Sequence, residues 1–256
     1  MKIGDGTLVF WIAAMVVSGL AATASAGEAQ VAPRPRAVVE LFTSQGCANC
    51  PPADAYLSEL AKDPGLVTLS FPVDYWDYLG WKDTAAKPEF GQRQRAYATR
   101  RGDHDVYTPQ MIINGKTHLV GSDRAGIARE VEAAKSGLPV EVDLETRGDT
   151  LVVSVGEALG EAPTTGATVW IVRYDVSRQI AIRRGENNGR TIVYAHLVRS
   201  LQPIGMWKGR AVRIELPRQE VAPDSDGGCA VLVQTELDGG PGSIVGARVI
   251  QAAPRG

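Results

Sequence analysis

The sequence predicts an α/β domain followed by an all-β sandwich, and two observations support this prediction. Up to about residue 135, apolar strand-like runs alternate with stretches of helical spacing, which is typical of an α/β fold. Beyond "SGLP" at 136–139 there are about eight short alternating runs separated by Gly, Asp, Asn and Pro, which favour a sandwich. We therefore predict two domains, 37–137 and 138–251.

The first residues have the pattern of an export signal. Lys2 supplies a positive start, Leu8 to Val17 is an unbroken apolar run, and Ala24-Ser25-Ala26 is a small-x-small cleavage site. The apolar run is shorter than the roughly 20 residues that a membrane span needs. We predict a signal peptide at 1–26, a linker at 27–36, and a mature chain that is periplasmic or secreted, without a membrane anchor.

Composition excludes several classes of function. The formal net charge is −2 and no basic cluster is present, which argues against nucleic acid as a partner. Three cysteines are too few for a disulfide-stapled scaffold, and Cys229 is left over if Cys47 and Cys50 pair. The sequence has no Walker loop, GxSxG, HExxH or glycine-rich nucleotide fingerprint.

The elements of the first domain follow one another with clear boundaries. "AVVELFT" predicts a buried strand, and "PPADAYLSELAKD" predicts a helix because proline is tolerated in a first turn. "GLVTLSFPV" predicts the next strand, and a helix is expected from about Pro88 to Arg101. Asn114-Gly115 predicts a turn between two strands, and the last helix carries Ile127 and Val131 on one face.

The stretch "SQGCANCPPAD" places Cys47 and Cys50 where the first strand gives way to the first helix. Such a CxxC pair is a structural disulfide, half of a metal site, or a redox centre. At a helix N-terminus the backbone dipoles favour the thiolate of the first cysteine, which is the form that attacks disulfides. We therefore predict Cys47 as the nucleophile and Cys50 as the cysteine that resolves the mixed disulfide.

Thr108-Pro109 lies about sixty residues downstream and directly before a strand. The arrangement resembles the thioredoxin superfamily, in which a cis-proline lies opposite the CxxC and the preceding backbone pairs with an extended substrate. The stretch "TPQMIINGKTHLVGSDR" is especially similar to glutaredoxins. The resemblance implies that Thr108 and Pro109 bind a protein or peptide substrate.

Four stretches together are similar to one bacterial family of exported thioredoxin-like proteins described as a domain of unknown function. These stretches are "ELFTSQGCANCPPAD", "DYWDYLGWKD", "YTPQMIING" and "RGENNGRTIVYAHLVR". The resemblance covers residues 37 to about 250. It implies an α/β thioredoxin-like N-terminal domain plus an all-β sandwich C-terminal domain, and it brings no substrate.

The aromatic stretch after the second strand has two interpretations. Asp74, Tyr75 and Trp76 start at the sheet edge where ligands of open α/β sheets gather, so they are candidates for a groove beside Cys47. The alternative is that the rings only pack the segment onto the core, which is the commoner use of aromatic residues. Asp74 is also a candidate for proton transfer from Cys50.

Three functions remain open from the sequence. The one we favour is an exported thiol–disulfide oxidoreductase that needs no cofactor besides its own disulfide. The second is a binding module with a permanently closed disulfide. The third is a copper(I) carrier using Cys47, Cys50 and a nearby histidine such as His104, although no second CxxC or paired-histidine spacing predicts a metal site. His118, His196 and the loop 183–190 are interpreted as structural, the loop as a solvated turn.

Overall fold

The computed structural model describes residues 33–158, 166–221, 227–237 and 239–251. The predicted signal peptide, 1–26, and most of the predicted linker lie outside these residues. The described residues form one compact unit. Within the described ranges, none of the helices has the length and apolar character that crossing a lipid bilayer demands.

The described chain contains eleven strands and four α-helices. The strands are β1 (Ala37–Thr43), β2 (Leu66–Pro72), β3 (Gln110–Ile113), β4 (Thr117–Val120), β5 (Val142–Arg147), β6 (Thr150–Val155), β7 (Ala167–Ala181), β8 (Thr191–Trp207), β9 (Val212–Pro217), β10 (Gly227–Leu237) and β11 (Gly240–Gln251). The helices are α1 (Pro51–Leu60), α2 (Pro88–Arg101), α3 (Arg124–Ala133) and α4 (Arg218–Val221), with a 3₁₀ helix at Asp77–Leu79.

Eight strands form one mixed sheet in the order β11-β10-β7-β8-β2-β1-β3-β4. β2 pairs in parallel with both β1 and β8, and the other pairs are antiparallel. The predicted fold class, an α/β thioredoxin-like domain plus a separate all-β sandwich, is therefore wrong. β8 satisfies backbone groups of β2 that would otherwise form an open sheet edge, so strands from both parts of the chain share one sheet. The limits 37–137 and 138–251 remain a prediction.

A smaller sheet, in the order β5-β6-β9, covers part of one face of the large sheet. Its inward side chains, among them Val142, Leu151 and Val153, share a buried cluster with Val169 and Val231 of the large sheet. The strands of residues 138–251, for which the sequence predicts a sandwich, are thus divided between the two sheets. Their alternation is explained by burial of one face, as the sequence indicates.

The helices of the first part pack on the two faces of the large sheet. α1 and α3 cover one face, where their side chains join a cluster with Leu41 and Met111. α2 lies on the other face, where Phe90 and Tyr97 pack with Phe42. α2 begins and ends at the predicted residues because Pro88 fits its first turn and Gly102 adopts a left-handed φ of 81° at its end.

A buried polar network links α2 to strands from both ends of the chain. Arg93 Nε donates to Glu40 Oε1 at 2.8 Å, and Tyr97 Oη donates to Glu40 Oε2 at 2.6 Å. Gln234 accepts from Arg93 at 2.8 Å and donates to Tyr97 at 2.6 Å. Because all four residues are buried, these hydrogen bonds fix how α2 sits on the sheet.

Candidate redox site at the end of the first strand

Cys47 and Cys50 form a disulfide in the turn between β1 and α1. α1 begins at Pro51 with Cys50 as its N-cap residue, so Cys47 lies one turn ahead of the helix. Cys47 has 3% of its surface exposed and Cys50 has none, whereas Ala48 and Asn49 between them are exposed. Of the two cysteines, only Cys47 therefore has any exposed surface.

Thr108-Pro109 lies beside this disulfide. The peptide bond between the two residues is cis, and the carbonyl oxygen of Thr108 is 3.7 Å from Cys47 Sγ. Gly121 allows close packing here, since a Cβ at this position would lie 3.0 Å from Pro109 Cβ. The structure thus brings together the predicted nucleophile and the predicted substrate-binding residues.

Of the three predicted groove residues, Trp76 lies against both Thr108 and the turn before Cys47. Its Nε1 donates to Thr108 Oγ1 at 2.7 Å, and a Cβ on Gly46 would lie 3.0 Å from Trp76 Cβ. Tyr78 stacks on Trp76 with ring centroids 6.3 Å apart and is 76% exposed. These two rings therefore form an aromatic surface beside Cys47 and Thr108.

Tyr75 and Asp74 both face α2, and the Tyr75 hydroxyl also interacts with the side chain of Thr108. Tyr75 Oη donates to Gln94 on α2 at 3.2 Å, and its ring packs on the core cluster of that face. Asp74 faces α2 as well, because a Cβ on Gly91 would lie 3.6 Å from Asp74 Oδ1. The contacts of Asp74 fit the packing interpretation, whereas Tyr75 packs on the core and also borders Thr108.

Residues later in the aromatic segment hold the turn that precedes Cys47. Asp83 Oδ2 accepts from the backbone N–H of Gln45 at 2.8 Å, and Trp81 Nε1 donates to Gln45 Oε1 at 2.8 Å. Burial raises the pKa of Asp83, although Gln45, Ala85 and Ala86 donate backbone hydrogen bonds to it. The segment therefore acts as a support for the backbone of Gln45 and Gly46.

The loop 183–190 between β7 and β8 also reaches the CxxC turn, which its interpretation as a solvated turn did not predict. Asn187 is fully buried and its Nδ2 donates to the carbonyl oxygens of Gln45, at 3.0 Å, and Cys47, at 2.8 Å. Arg190 donates to Asn187 Oδ1 at 3.1 Å, which orients the amide. Glu186 Oε2 accepts from the backbone N–H of Ala48 at 3.3 Å. No local pattern reveals these contacts, since about 140 residues separate the two segments.

A buried carboxyl group lies one helical turn beyond Cys50. Asp54 is 2% exposed, and neither of its oxygens makes a hydrogen bond of normal geometry among the described residues, although the Thr43 hydroxyl is close enough to lower the pKa of the carboxyl. Tyr194 Oη is likewise buried without a hydrogen-bond partner among the described residues. Burial raises the pKa of Asp54 to about 8, with a further contribution from Asp83, so the carboxyl is protonated at neutral pH. Burial also raises the pKa of Tyr194, with contributions from Asp54 and Asp83.

Asp54 was not predicted from the sequence as a site residue, although its spacing from Cys50 indicates such a role. It lies four residues after Cys50, and residues spaced by four share a helix face. The spacing therefore predicts an ionisable residue on the same helix face as Cys50. No sequence pattern predicts Tyr194 as a site residue, because its proximity to Asp54 depends on where β8 lies.

The other cysteine and the histidines lie in structural positions or outside the turn. Cys229 is fully buried in β10, and burial raises the pKa of its thiol to about 12. His196 Nδ1 is 2.7 Å from Thr68 Oγ1, and His118 Nδ1 is 3.0 Å from Tyr107 Oη. Within the ranges that the structure describes, no three His, Cys, Asp or Glu side chains are grouped so that they could hold a metal ion.

Comparison with known proteins gives a family and a structural neighbour. The crystal structure of protein AGR_C_4864 from Agrobacterium tumefaciens, a structural genomics target, is 37% identical in sequence with a TM-score of 0.75. The alignment covers 87% of this chain and 99% of that one. No protein with a curated description matches the chain. A family model matches residues 38–234, which include the CxxC turn, Thr108-Pro109 and the loop 183–190. The chain therefore belongs to the family described as Protein of unknown function (DUF1223).

Proposed function

We propose that this protein is an exported thiol–disulfide oxidoreductase that acts on protein or peptide thiols through Cys47 and Cys50. The observation that carries the proposal is the placement of Cys47 Sγ 3.7 Å from the carbonyl oxygen of Thr108, in a cis Thr108-Pro109 segment. This placement puts the backbone of Thr108 next to the sulfur that a substrate would attack. The export part rests on the signal-peptide pattern of residues 1–26.

The reaction is a two-step exchange. A substrate thiolate attacks Cys47 Sγ, the bond between Cys47 and Cys50 breaks, and its electron pair remains on Cys50 as a thiolate. A second substrate thiol then attacks the mixed disulfide, which leaves the substrate oxidised and both cysteines reduced. In the reverse direction a substrate disulfide accepts the attack of Cys47, and Cys50 resolves the mixed disulfide.

The substrate in this proposal is an extended segment laid along Thr108 and beside the aromatic surface of Trp76 and Tyr78. An extended chain offers alternating backbone groups that pair with another backbone. The exposed ring of Tyr78 offers contact to an apolar side chain next to the substrate cysteine. Backbone pairing and a single aromatic contact place few demands on the substrate sequence, so this mode of recognition suits protein thiols of many sequences.

Asp54 supplies the proton that the buried sulfur of Cys50 needs. A thiolate on a fully buried cysteine lacks water, so its formation is costly unless a neighbouring acid protonates it. Asp54 is protonated at neutral pH and shares the helix face of Cys50, and its neighbour Thr43 carries no charge that would hold the carboxylate form. The titratable groups facing Asp54 from other elements are Asp83 and Tyr194.

An Asp54→Asn variant tests this role. We expect the rate of reduction of the disulfide by a peptide thiol to fall by roughly 10²-fold at pH 7, because the general acid is lost. In the unmodified protein the rate per substrate thiolate should decline as pH rises through about 8, where Asp54 ionises, and the variant should lack this decline. The measurement is stopped-flow reduction across pH 5 to 10, with its buffers at constant ionic strength.

The control variant is Glu59→Gln, which changes an exposed carboxyl group at the other end of α1. It should leave the pH profile unchanged.

Folding stability offers a second readout. The raised pKa of Asp54 means that the folded state binds more protons than the unfolded state between pH 3.8 and about 8. Stability should therefore fall with rising pH in that window, and less so in Asp54→Asn. An identical rate profile in Asp54→Asn and the unmodified protein would contradict the role.

The proposed function itself is tested by titrating the thiols of the purified protein against glutathione buffers. We expect one reversible two-electron transition at a potential above about −300 mV. A binding module with an inert disulfide would stay oxidised down to about −300 mV or lower. A copper(I) carrier would instead bind one copper(I) per reduced chain and lose it in Cys47→Ser.

A further inference from the structure

The loop 183–190 places a carboxylate beside the proposed nucleophile. Glu186 Oε2 accepts a hydrogen bond at 3.3 Å from the backbone N–H of Ala48, the residue that follows Cys47. The loop is held in this position because Asn187 is fully buried and is bonded to the carbonyl oxygens on either side of Gly46. Gly185 packs closely against Trp81, since a Cβ there would lie 3.1 Å from Trp81 Cβ.

From this contact we infer that Glu186 lowers the reduction potential of the Cys47–Cys50 disulfide and so favours the protein as a reductant of its substrates. The inference rests on the proposed function. Reduction converts the neutral disulfide to a dithiol whose outer sulfur, Cys47, is the one that ionises. A fixed negative charge beside that sulfur destabilises its thiolate, and it also occupies a backbone N–H next to it.

Other charges near the turn decide how large this effect is. Arg190 is bonded to the side chain of Asn187, and Arg183 and Arg184 are exposed on the same loop. These cations lie on the loop, whereas Glu186 is the charged group whose side chain touches the backbone between the two cysteines. Asp83, which supports Gln45 from the other side, adds negative charge when it is ionised. The charge that is in hydrogen-bond contact with the backbone between the two cysteines is therefore a negative one.

The balanced reaction used for the test is the exchange with glutathione. Two glutathione thiols are oxidised to glutathione disulfide while the bond between Cys47 and Cys50 is reduced to two thiols. In Glu186→Gln the amide oxygen is still able to accept from Ala48, so the variant removes charge and keeps the contact. We expect the equilibrium constant for reduction to rise three- to tenfold at low salt, which is about 15–30 mV for two electrons.

The dependence of the equilibrium constant on salt distinguishes an effect of the Glu186 charge from an effect of loop packing. Because Glu186 is exposed, the difference between the variant and the unmodified protein should shrink when the ionic strength rises from about 0.01 to 1 M. A purely structural effect of the loop would not change with salt in this way. The control is Asp149→Asn, which removes an exposed negative charge in the turn between β5 and β6 of the smaller sheet, and it should leave the constant unchanged.

The outcomes separate the inference from the proposed function. An unchanged or lower equilibrium constant in Glu186→Gln, with reversible exchange in the unmodified protein, overturns the inference alone. A disulfide that glutathione does not reduce in either protein overturns the proposed function. A raised constant that does not depend on salt also overturns the inference, because the effect would not come from charge.

Discussion

A Cys50→Ser variant should accumulate mixed disulfides between Cys47 and its substrates, whereas Cys47→Ser should accumulate none. In Cys50→Ser the outer sulfur is still able to exchange, but no second thiol is present in the turn to release the substrate. In Cys47→Ser the remaining sulfur belongs to a residue with no exposed surface. We expect exchange with a peptide disulfide to fall by at least on the order of 10³-fold in Cys47→Ser.

The measurement is non-reducing electrophoresis and mass spectrometry of the variants after incubation with a peptide disulfide. Both variants are made with Cys229→Ala, so that the third cysteine forms no adducts. Cys229→Ala alone is the matched control, and it should exchange at the normal rate because the buried Cys229 thiol has a raised pKa and does not ionise at neutral pH. Equal trapping by Cys47→Ser and Cys50→Ser would contradict the assignment of Cys47 as the attacked sulfur.

An Arg93→Met variant should lose about 3–5 kcal/mol of unfolding free energy, because it leaves the buried carboxylate of Glu40 without its cation. Arg93 and Glu40 pair at 2.8 Å, with side-chain exposures of 7% and 0%. The same change removes the donor that holds Gln234 of β10. Helix α2 and strands from both parts of the chain should therefore loosen together, as measured by urea unfolding followed by circular dichroism.

Two further variants make this prediction specific. Glu40→Leu combined with Arg93→Met replaces the ion pair with apolar groups and should recover part of the loss, because no unpaired charge remains. Arg101→Met changes an arginine at the end of the same helix, whose partner Asp103 is on the surface, and should have a far smaller effect. If Arg93→Met and Arg101→Met cost the same free energy, the buried network does not fix α2 on the sheet.

The parts of the site that the sequence predicted are those formed by neighbouring residues. The strand before Cys47, the helix that starts at Pro51 and the strand after Pro109 follow from apolar runs and proline positions, whose effects reach only a few residues. The proximity of Thr108 to Cys47 came from resemblance to a family, and the structure places the two 3.7 Å apart. Asp74, a candidate for the groove beside Cys47, faces α2 in the structure, because the direction of its side chain depends on where α2 packs.

The sequence alone determined where the strands of the first part lie, where α2 begins and ends, and which sulfur precedes the helix. It did so because alternation, proline and glycine act on local backbone geometry. Only the tertiary structure decided that β8 joins β2, so that one sheet replaces the two predicted folds, and that Asn187, Glu186 and Tyr194 lie at the CxxC turn and near Asp54. An alternating pattern shows which face of a strand is buried, but any strand with open hydrogen-bonding groups is able to pair with it, and the choice is made by packing of the whole chain.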